Sequence, residues 1–404
     1  MKELLRNSTL IFLLVATSGI NFFSDDPVVK LGVILLLIVF YLNQKQNYFK
    51  QEKLVMFLLF FLLIYVIQMF IFDRVNLYFI IKYPLYQFVI PLTIIALLPI
   101  DFHKHFVKFI YIWTIMTLVI WVGIITFPQF DAFMSQLPNQ LRLDSFEAKR
   151  KSIILFTYED DQSYGINRFA GFWHEPGAFA VLMIYSWYFS ALVTGKFINK
   201  YSRIFLISIL ATMSTTAYFA IGILIFLYTF LVARSNLIVK IAASSFLLFT
   251  FFYVYNETEF MSSKVEHQLS VANKVNIEGT ATAGRFIGLY KSLNVISTYP
   301  LFGRGLASQS SADITSAEDT GYGWPGFVAN TGLILGLLYL YLIFKGMKGY
   351  SSLYSMDKLY PIIFFVALLV VLFSQKHTST PLLFALAIFP FLRNKFSHKT
   401  DSQL

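Results

Sequence analysis

The sequence predicts an all-α polytopic membrane protein with about 12 transmembrane helices and two long extracytoplasmic loops. Of the 404 residues, 57% are hydrophobic and only 13% are charged, and Phe alone occurs 45 times. Apolar runs long enough to cross a bilayer recur along the chain, and basic residues lie in alternate loops between them. The absence of Cys excludes disulfides, thiol nucleophiles and thiolate metal sites.

The apolar runs define the predicted crossings. A crossing helix needs roughly 20 apolar residues, or somewhat fewer in a packed bundle. By that measure the segments are 7–23, 28–42, 54–72, 77–99, 106–127, 175–194, 202–214, 217–233, 237–255, 325–344, 359–374 and 379–392. The boundary after 214 is rich in Ser and Thr, whose hydroxyls could also satisfy backbone groups inside one kinked helix. We expect two helices there.

The distribution of Lys and Arg predicts the orientation, because basic residues concentrate in cytoplasmic loops. With a cytoplasmic N-terminus, the inner segments hold 18 of the 32 basic residues, whereas the short outer turns hold only Arg74 and Lys376. Both termini are therefore expected inside. The net charge of +10 is a topology signal and gives no reason to expect a nucleic-acid partner. Residues 1–18 would also suit a cleaved signal peptide, which would leave the downstream orientation unchanged.

The chain is expected to form a single membrane domain, 1–404, with two outer elaborations. These are the loops 128–173 and 256–324, where function should lie. The acidic run 159–161 in the first loop could bind a divalent cation, but such runs are more often solvated surface. Since there is also no His pair with metal-ligand spacing, no metal and no cofactor are expected.

The first loop ends in the sequence R-F-A-G-F-W-H-E-P, directly before the apolar segment 175–194. Arg168, His174 and Glu175 would thus gather at one mouth of a membrane helix, where charge is costly. Glu175 and Pro176 are also ordinary helix-start residues, so a purely structural interpretation stays open. Arg168 could hold an anion in bidentate fashion beside a base.

The second loop contains apolar residues at spacings of three and four, from Phe286 to Ile296. This spacing predicts a short amphipathic helix on the bilayer surface or on the helix bundle. Gly303 and Gly305 follow the helix, and their N–H groups could approach a phosphate or simply form a helix-terminating turn. Arg304 lies between these two glycines.

Lys82 lies a little more than one turn inside the outer end of segment 77–99. A lysine at that depth can extend its ammonium group to the interface, so its presence needs no function. The alternative interpretation is a ligand for an anion within the bundle.

These motifs resemble those of Wzy-type O-antigen and capsule polymerases of the O-antigen ligase/polymerase superfamily. The resemblance in layout covers essentially the whole chain, while the specific motifs cover short stretches. They are Arg168 with Gly171 and Glu175-Pro176, Arg285 with Pro300-Leu-Phe-Gly303-x-Gly305, and the small-residue helix start Ala329-Asn330-Thr331-Gly332.

The resemblance implies a GT-C-like, metal-independent glycosyltransferase in the bacterial plasma membrane. Its substrate would be an undecaprenyl-diphosphate-linked oligosaccharide, polymerised at the outer face into O-antigen or capsule. A chain-length regulator or a flippase is implied as a further partner. Ligases of the superfamily usually carry a His between the Gly-x-Gly turn and the next helix, and 306–324 contains none, which favours a polymerase.

The resemblance and the charges imply a role for each candidate residue. Fixed cations would stabilise the departing diphosphate, and Glu175, or His174 beside it, would accept the proton of the attacking hydroxyl. The candidate substrate-binding residues are Arg168, Arg285, Lys82, Arg304, Gly303 and Gly305. A lipid-linked sugar flippase or another carrier is the alternative from a different class, although such carriers generally show paired halves.

Overall fold

The computed structural model describes the larger part of the chain. The described residues are 52–71, 88, 90–92, 102–140, 150–153, 156–161, 166–173, 175–233, 236–238, 240–242, 244–245, 285–305, 323–373, 375 and 380–392. The predicted segments 7–23 and 28–42, and most of 77–99 and 237–255, lie outside them.

The described residues are mostly helical. The helices are α1 (Glu52–Ile71), α2 (Phe102–Thr126), α3 (Pro128–Gln140), α4 (Pro176–Thr194), α5 (Lys200–Ala211), α6 (Thr215–Leu227), α7 (Arg285–Thr298), α8 (Gly323–Thr331), α9 (Leu333–Leu353), α10 (Tyr360–Leu372) and α11 (Pro381–Ile388). A π-helical turn, Tyr228–Val232, extends α6, and a 3-10 turn, Phe389–Leu392, follows α11.

Among the described residues, five helices are long and apolar enough to cross a membrane: α1, α2, α4, α9, and α6 with its π-helical extension. The predicted class, a mostly helical membrane protein, is therefore confirmed in outline. Helices α10 and α11 are apolar but shorter. The number of crossings and the orientation of the termini stay predictions.

The sequence also predicted the break between α5 and α6 correctly. Helix α5 ends at Ala211, and Met213 adopts a left-handed backbone conformation with φ 47°. The Thr212 hydroxyl donates to the Ile209 carbonyl at 2.6 Å, so it satisfies a carbonyl at the helix end. The hydroxyl-rich boundary thus separates two helices.

The predicted segment 325–344 is wrong as a single helix. Gly332 has φ 85° and separates α8 from α9. The residues Ala329 to Thr331, predicted as a helix start, instead end α8. An added Cβ at Gly332 would overlap the Leu301 carbonyl oxygen, so both the backbone conformation and the close approach require glycine.

The structure divides into two compact units, which are described separately. The first contains the described residues of Thr93–Tyr228 and Tyr350–Val371. The second contains those of Gln46–Leu92, Thr229–Gly349 and Leu372–Leu404.

Helix α4 forms the centre of the first unit, and every residue from Pro176 to Leu192 is buried. Pro176 occupies the first helical position, and Gly195 ends the helix in a left-handed conformation with φ 67°. Asn199 then caps α5 by accepting from the Tyr201 and Ser202 N–H groups. These signals make α4 and α5 a hairpin, so the C-terminal end of α5 returns towards the start of α4.

A three-stranded antiparallel sheet precedes α4, and the all-α prediction did not include it. Its strands are β1 (Arg150–Ile153), β2 (Phe156–Asp161) and β3 (Ile166–Gly171), in that order. Tyr158 pairs with Phe169 and Glu159 with Arg168. Because side chains alternate between faces, the aromatic pair and the charged pair lie on opposite faces of the sheet.

An aromatic cluster forms the core of the second unit. Phe61 of α1 is fully buried and contacts the rings of Tyr339 on α9 and Phe384 on α11. The rings of Tyr339 and Phe384 have centroids 4.4 Å apart. The exposed residues of α1 are mainly apolar and include Met56, Leu59, Leu63 and Phe70, as expected of a helix that also faces lipid.

Candidate functional site

Arg168 lies on β3 and forms a largely buried ion pair with Glu159 on β2. Its Nη1 atom is 3.1 Å from the Glu159 Oε1 atom, and the two side chains are 6% and 12% exposed. Its Nη2 atom also donates to the Met213 carbonyl at 3.4 Å. The strand register places the two charges opposite each other, so the pair compensates a guanidinium that burial would otherwise penalise.

The ion pair contacts the break between α5 and α6. Met213 follows the C-terminal end of α5, where helix carbonyls carry partial negative charge, so a guanidinium is favoured there. Helix α6 begins at Thr215, and its first turn carries the opposite, positive partial charge. Arg168 therefore lies where one helix ends and the next begins.

The turn from β3 to α4 is tight and buried. Gly171 has φ 61°, and a Cβ there would lie 2.5 Å from the Phe179 ring. The Trp173 N–H donates to the Ala170 carbonyl at 3.0 Å, and both Phe172 and Trp173 are buried. The turn thus fixes the position of Arg168 in space relative to the start of α4.

Glu175 occupies the N-cap position of α4. Its backbone is extended, and its carbonyl accepts from the Phe179 N–H at 3.0 Å. The helix-start interpretation is confirmed for the backbone and for Pro176. The partly exposed side chain, however, does not cap any described N–H group of α4. His174, the alternative base, lies outside the described residues.

The opposite face of the sheet packs on α2 and α3. The Tyr158 hydroxyl donates to Asp131 at 3.0 Å, and the Trp121 Nε1–H donates to the Asn167 carbonyl at 2.9 Å. Burial is the main cause that raises the pKa of Tyr158 above its ordinary value, and the hydrogen bond to Asp131 raises it further. These contacts hold the sheet against the helices and so hold Arg168 in place.

The acidic run 159–161 contributes to ion pairs and is not simply a solvated surface. Glu159 pairs with Arg168, and Asp160 lies 2.9 Å from the Lys151 Nζ atom. Glu159 is thus a site residue that the sequence analysis missed, because it treated the segment as a loop. The described part of the chain contains no group of three or more His, Asp or Glu side chains arranged to hold a metal.

In the second unit, Gly303 and Gly305 form a backbone junction. The N–H groups of Gly303, Arg304 and Gly305 donate to the carbonyls of Tyr299, Ala329 and Asn330, each at 3.0 Å. These N–H groups are bonded within the protein, as in the helix-terminating turn that was one of the two interpretations of the sequence. Gly303 has φ 65°, and an added Cβ would lie 2.5 Å from the Ala329 carbonyl oxygen.

Gln68 completes this junction, and the sequence analysis missed it. It is 3% exposed within the apolar run of helix α1, and its Nε2 atom donates to the carbonyls of Phe302 and Asn330. The Asn330 carbonyl near the end of α8 therefore accepts from both the Gln68 amide and the Gly305 N–H. In the sequence, the signal that could have identified Gln68 was a single amide within a long apolar run.

The remaining candidates are Arg304, Arg285 and Lys82. Arg304 is partly exposed in the junction, and Arg285 begins α7, although its side chain is not described. Lys82 lies outside the described residues. The first unit therefore contains Arg168 and Glu175, at the two ends of one turn, and the second contains Arg285, Gly303, Arg304 and Gly305. Neither the known protein-family models nor the curated proteins include a match to this chain.

Proposed function

We propose that the chain is a membrane glycosyltransferase that joins undecaprenyl-diphosphate-linked oligosaccharide repeats at the outer face of the bacterial plasma membrane. It would act without a metal or a cofactor. The observation that supports this proposal most is the position of Arg168, a largely buried cation held where the sheet meets the break between two helices. Glu175 follows at the start of the adjoining helix α4.

A diphosphate suits this position because two sources of positive potential lie next to each other. One is the Arg168 guanidinium, which contacts the Met213 carbonyl, and the other is the N-terminal end of α6, two residues further along the chain. Glu159 orients the guanidinium and offsets part of its charge. That partial compensation would let the diphosphate bind and still be released as a product.

In the proposed reaction, the bond between the donor sugar's anomeric carbon and the diphosphate oxygen breaks. The oxygen of an acceptor sugar hydroxyl forms the new bond to that carbon, and Glu175 takes the hydroxyl proton. Undecaprenyl diphosphate leaves with the bonding electron pair. One fixed donor to a developing charge is typically worth roughly 3 kcal/mol of barrier, on the order of a hundredfold in rate.

The change Glu175→Gln tests the proposed base. The variant keeps the size of the side chain but cannot accept the proton, so chain extension should fall on the order of a hundredfold or more. Glu52→Gln is the matched control, since Glu52 is an exposed carboxylate at the first position of α1. Both purified variants would be compared with the wild type by the length of the lipid-linked product. Full extension by Glu175→Gln would exclude Glu175 as the base.

A carrier of lipid-linked sugars is the second candidate, and one observation favours it. Apolar helices are interrupted at Met213 in the first unit and at Gly332 in the second, and interrupted helices often form the binding sites of carriers. At Gly332, however, Gln68 and the glycine turn donate to the Ala329 and Asn330 carbonyls near the end of α8. Movement of an intact lipid-linked sugar between leaflets, without extension, would support this alternative.

A further inference from the structure

Helix α7 has one side packed on the protein and one side exposed. Gly288 and Ser292 are buried on the packed side, and the Ser292 hydroxyl donates to the Gly288 carbonyl at 2.7 Å. Helix α8 is its main neighbour. The sequence analysis left open whether α7 lies on the bilayer or on the bundle, and the packed side accounts for only part of its surface.

The exposed surface contains large apolar and aromatic side chains. Tyr290 is 57% exposed and Leu293 is 53% exposed, and the turn after α7 adds Tyr299 and Leu301, at 42% and 55%. At 100° per residue, Leu293 and the exposed Thr298 lie about 140° apart around the helix. The exposed Ser297 lies between Tyr290 and Leu293, so one flank of α7 is mainly apolar, and the flank with Thr298 is polar.

The apolar flank continues onto a helix that is long enough to cross the membrane. The Leu333 N–H, at the start of α9, donates to the Pro300 carbonyl at 2.8 Å, so the turn after α7 lies against the start of α9. Further along α9, Ile334 and Leu337 are about half exposed, as expected of side chains that face lipid. Leu301 thus lies at one end of an apolar surface on a membrane-crossing candidate.

We infer that α7 binds the bilayer interface, with Leu293 and Leu301 below the lipid headgroups and Tyr290 and Tyr299 at headgroup level. Tyr is enriched at membrane–water boundaries because its ring is apolar while its hydroxyl needs a polar partner. A helix with one apolar and one polar flank suits a position in the plane of that boundary. This inference does not depend on the proposed function.

Site-directed spin labelling tests the inference cleanly, because the chain contains no Cys. Single variants Leu293→Cys, Leu301→Cys and Thr298→Cys would be labelled with a nitroxide in nanodiscs that each hold one protein. Leu337→Cys on α9 provides the lipid-facing reference, and Tyr290→Cys a second label on the apolar flank of α7. Collision rates with oxygen and with a water-soluble nickel chelate report the depth of each label.

The expected ratio of oxygen to nickel-chelate collisions is severalfold higher at positions 293 and 301 than at 298, and it approaches the ratio at 337. Equal nickel-chelate access at 293, 301 and 298 would overturn the inference. Shielding of 293 and 301 from both reagents would also overturn it, since a second protein surface would then cover the flank.

Discussion

At the scale of single residues, Arg168 and Glu159 determine how the site is built. The sequence identified Arg168 from its position before a membrane helix, but its partner became visible only through the register of β2 and β3. Paired charges in a buried setting depend on each other, because removing one leaves the other uncompensated. The role of Arg168 therefore includes holding the sheet to the break between α5 and α6.

The change Glu159→Gln should destabilise the protein by about 3 kcal/mol, since it leaves the buried guanidinium without its counter-charge. Asp160→Asn is the matched control on the neighbouring residue, whose pair with Lys151 is more exposed, at 22% for each side chain. That control should cost less than about 1 kcal/mol. Thermal unfolding in detergent, followed by circular dichroism, measures both. Equal losses in the two variants would contradict the account of the buried pair.

At the scale of elements, the helices were more predictable than the sheet. The long apolar runs gave α1, α2 and α4 with ends close to those observed, and the Ser and Thr residues near 214 indicated the break before α6. The strands were missed because Phe156 to Asp161 contains two aromatic residues and three acids without a clear apolar alternation. Their faces are defined by cross-strand partners, which a single sequence does not show.

The partners of the turn after α7 also could not be predicted from the sequence. Gly303 and Gly305 correctly indicated a tight turn, but the carbonyls that their N–H groups meet come from the end of α8. Composition could not distinguish a phosphate from a second backbone segment as the partner of those N–H groups. The break at Gly332 was missed because the apolar residues continue on both sides of it.

The change Gly303→Ala should be strongly destabilising, by about 3 kcal/mol or more, since it combines a left-handed backbone with an overlap against the Ala329 carbonyl. Gly195→Ala separates the two effects, because Gly195 has a similar φ of 67° but no atom within 4 Å of the added Cβ. The control should cost about 1 kcal/mol. Apparent melting temperatures of the purified variants give the comparison. If both changes cost the same, close backbone packing at Gly303 would be excluded as the cause.

At the scale of the whole molecule, composition predicted the membrane class, while the orientation is a prediction from the basic residues alone. Gln136 lies in the predicted outer segment, and Lys196 follows α4 on the predicted inner side. Single-cysteine variants at these two exposed positions should react differently with a membrane-impermeant maleimide. In intact spheroplasts we expect labelling of Gln136→Cys, and labelling of Lys196→Cys only after permeabilisation. The reverse pattern would invert the predicted topology and move the candidate site to the cytoplasmic face.

Polymerisation by the purified protein tests the central claim most directly. The wild-type chain would be reconstituted in liposomes with a synthetic undecaprenyl-diphosphate oligosaccharide and EDTA, and product length would be followed on a gel. The proposed function predicts a ladder of longer lipid-linked chains, formed without a divalent metal. Unchanged oligosaccharide length, in a sample whose circular dichroism shows a folded helical protein, would contradict the assignment as a polymerase.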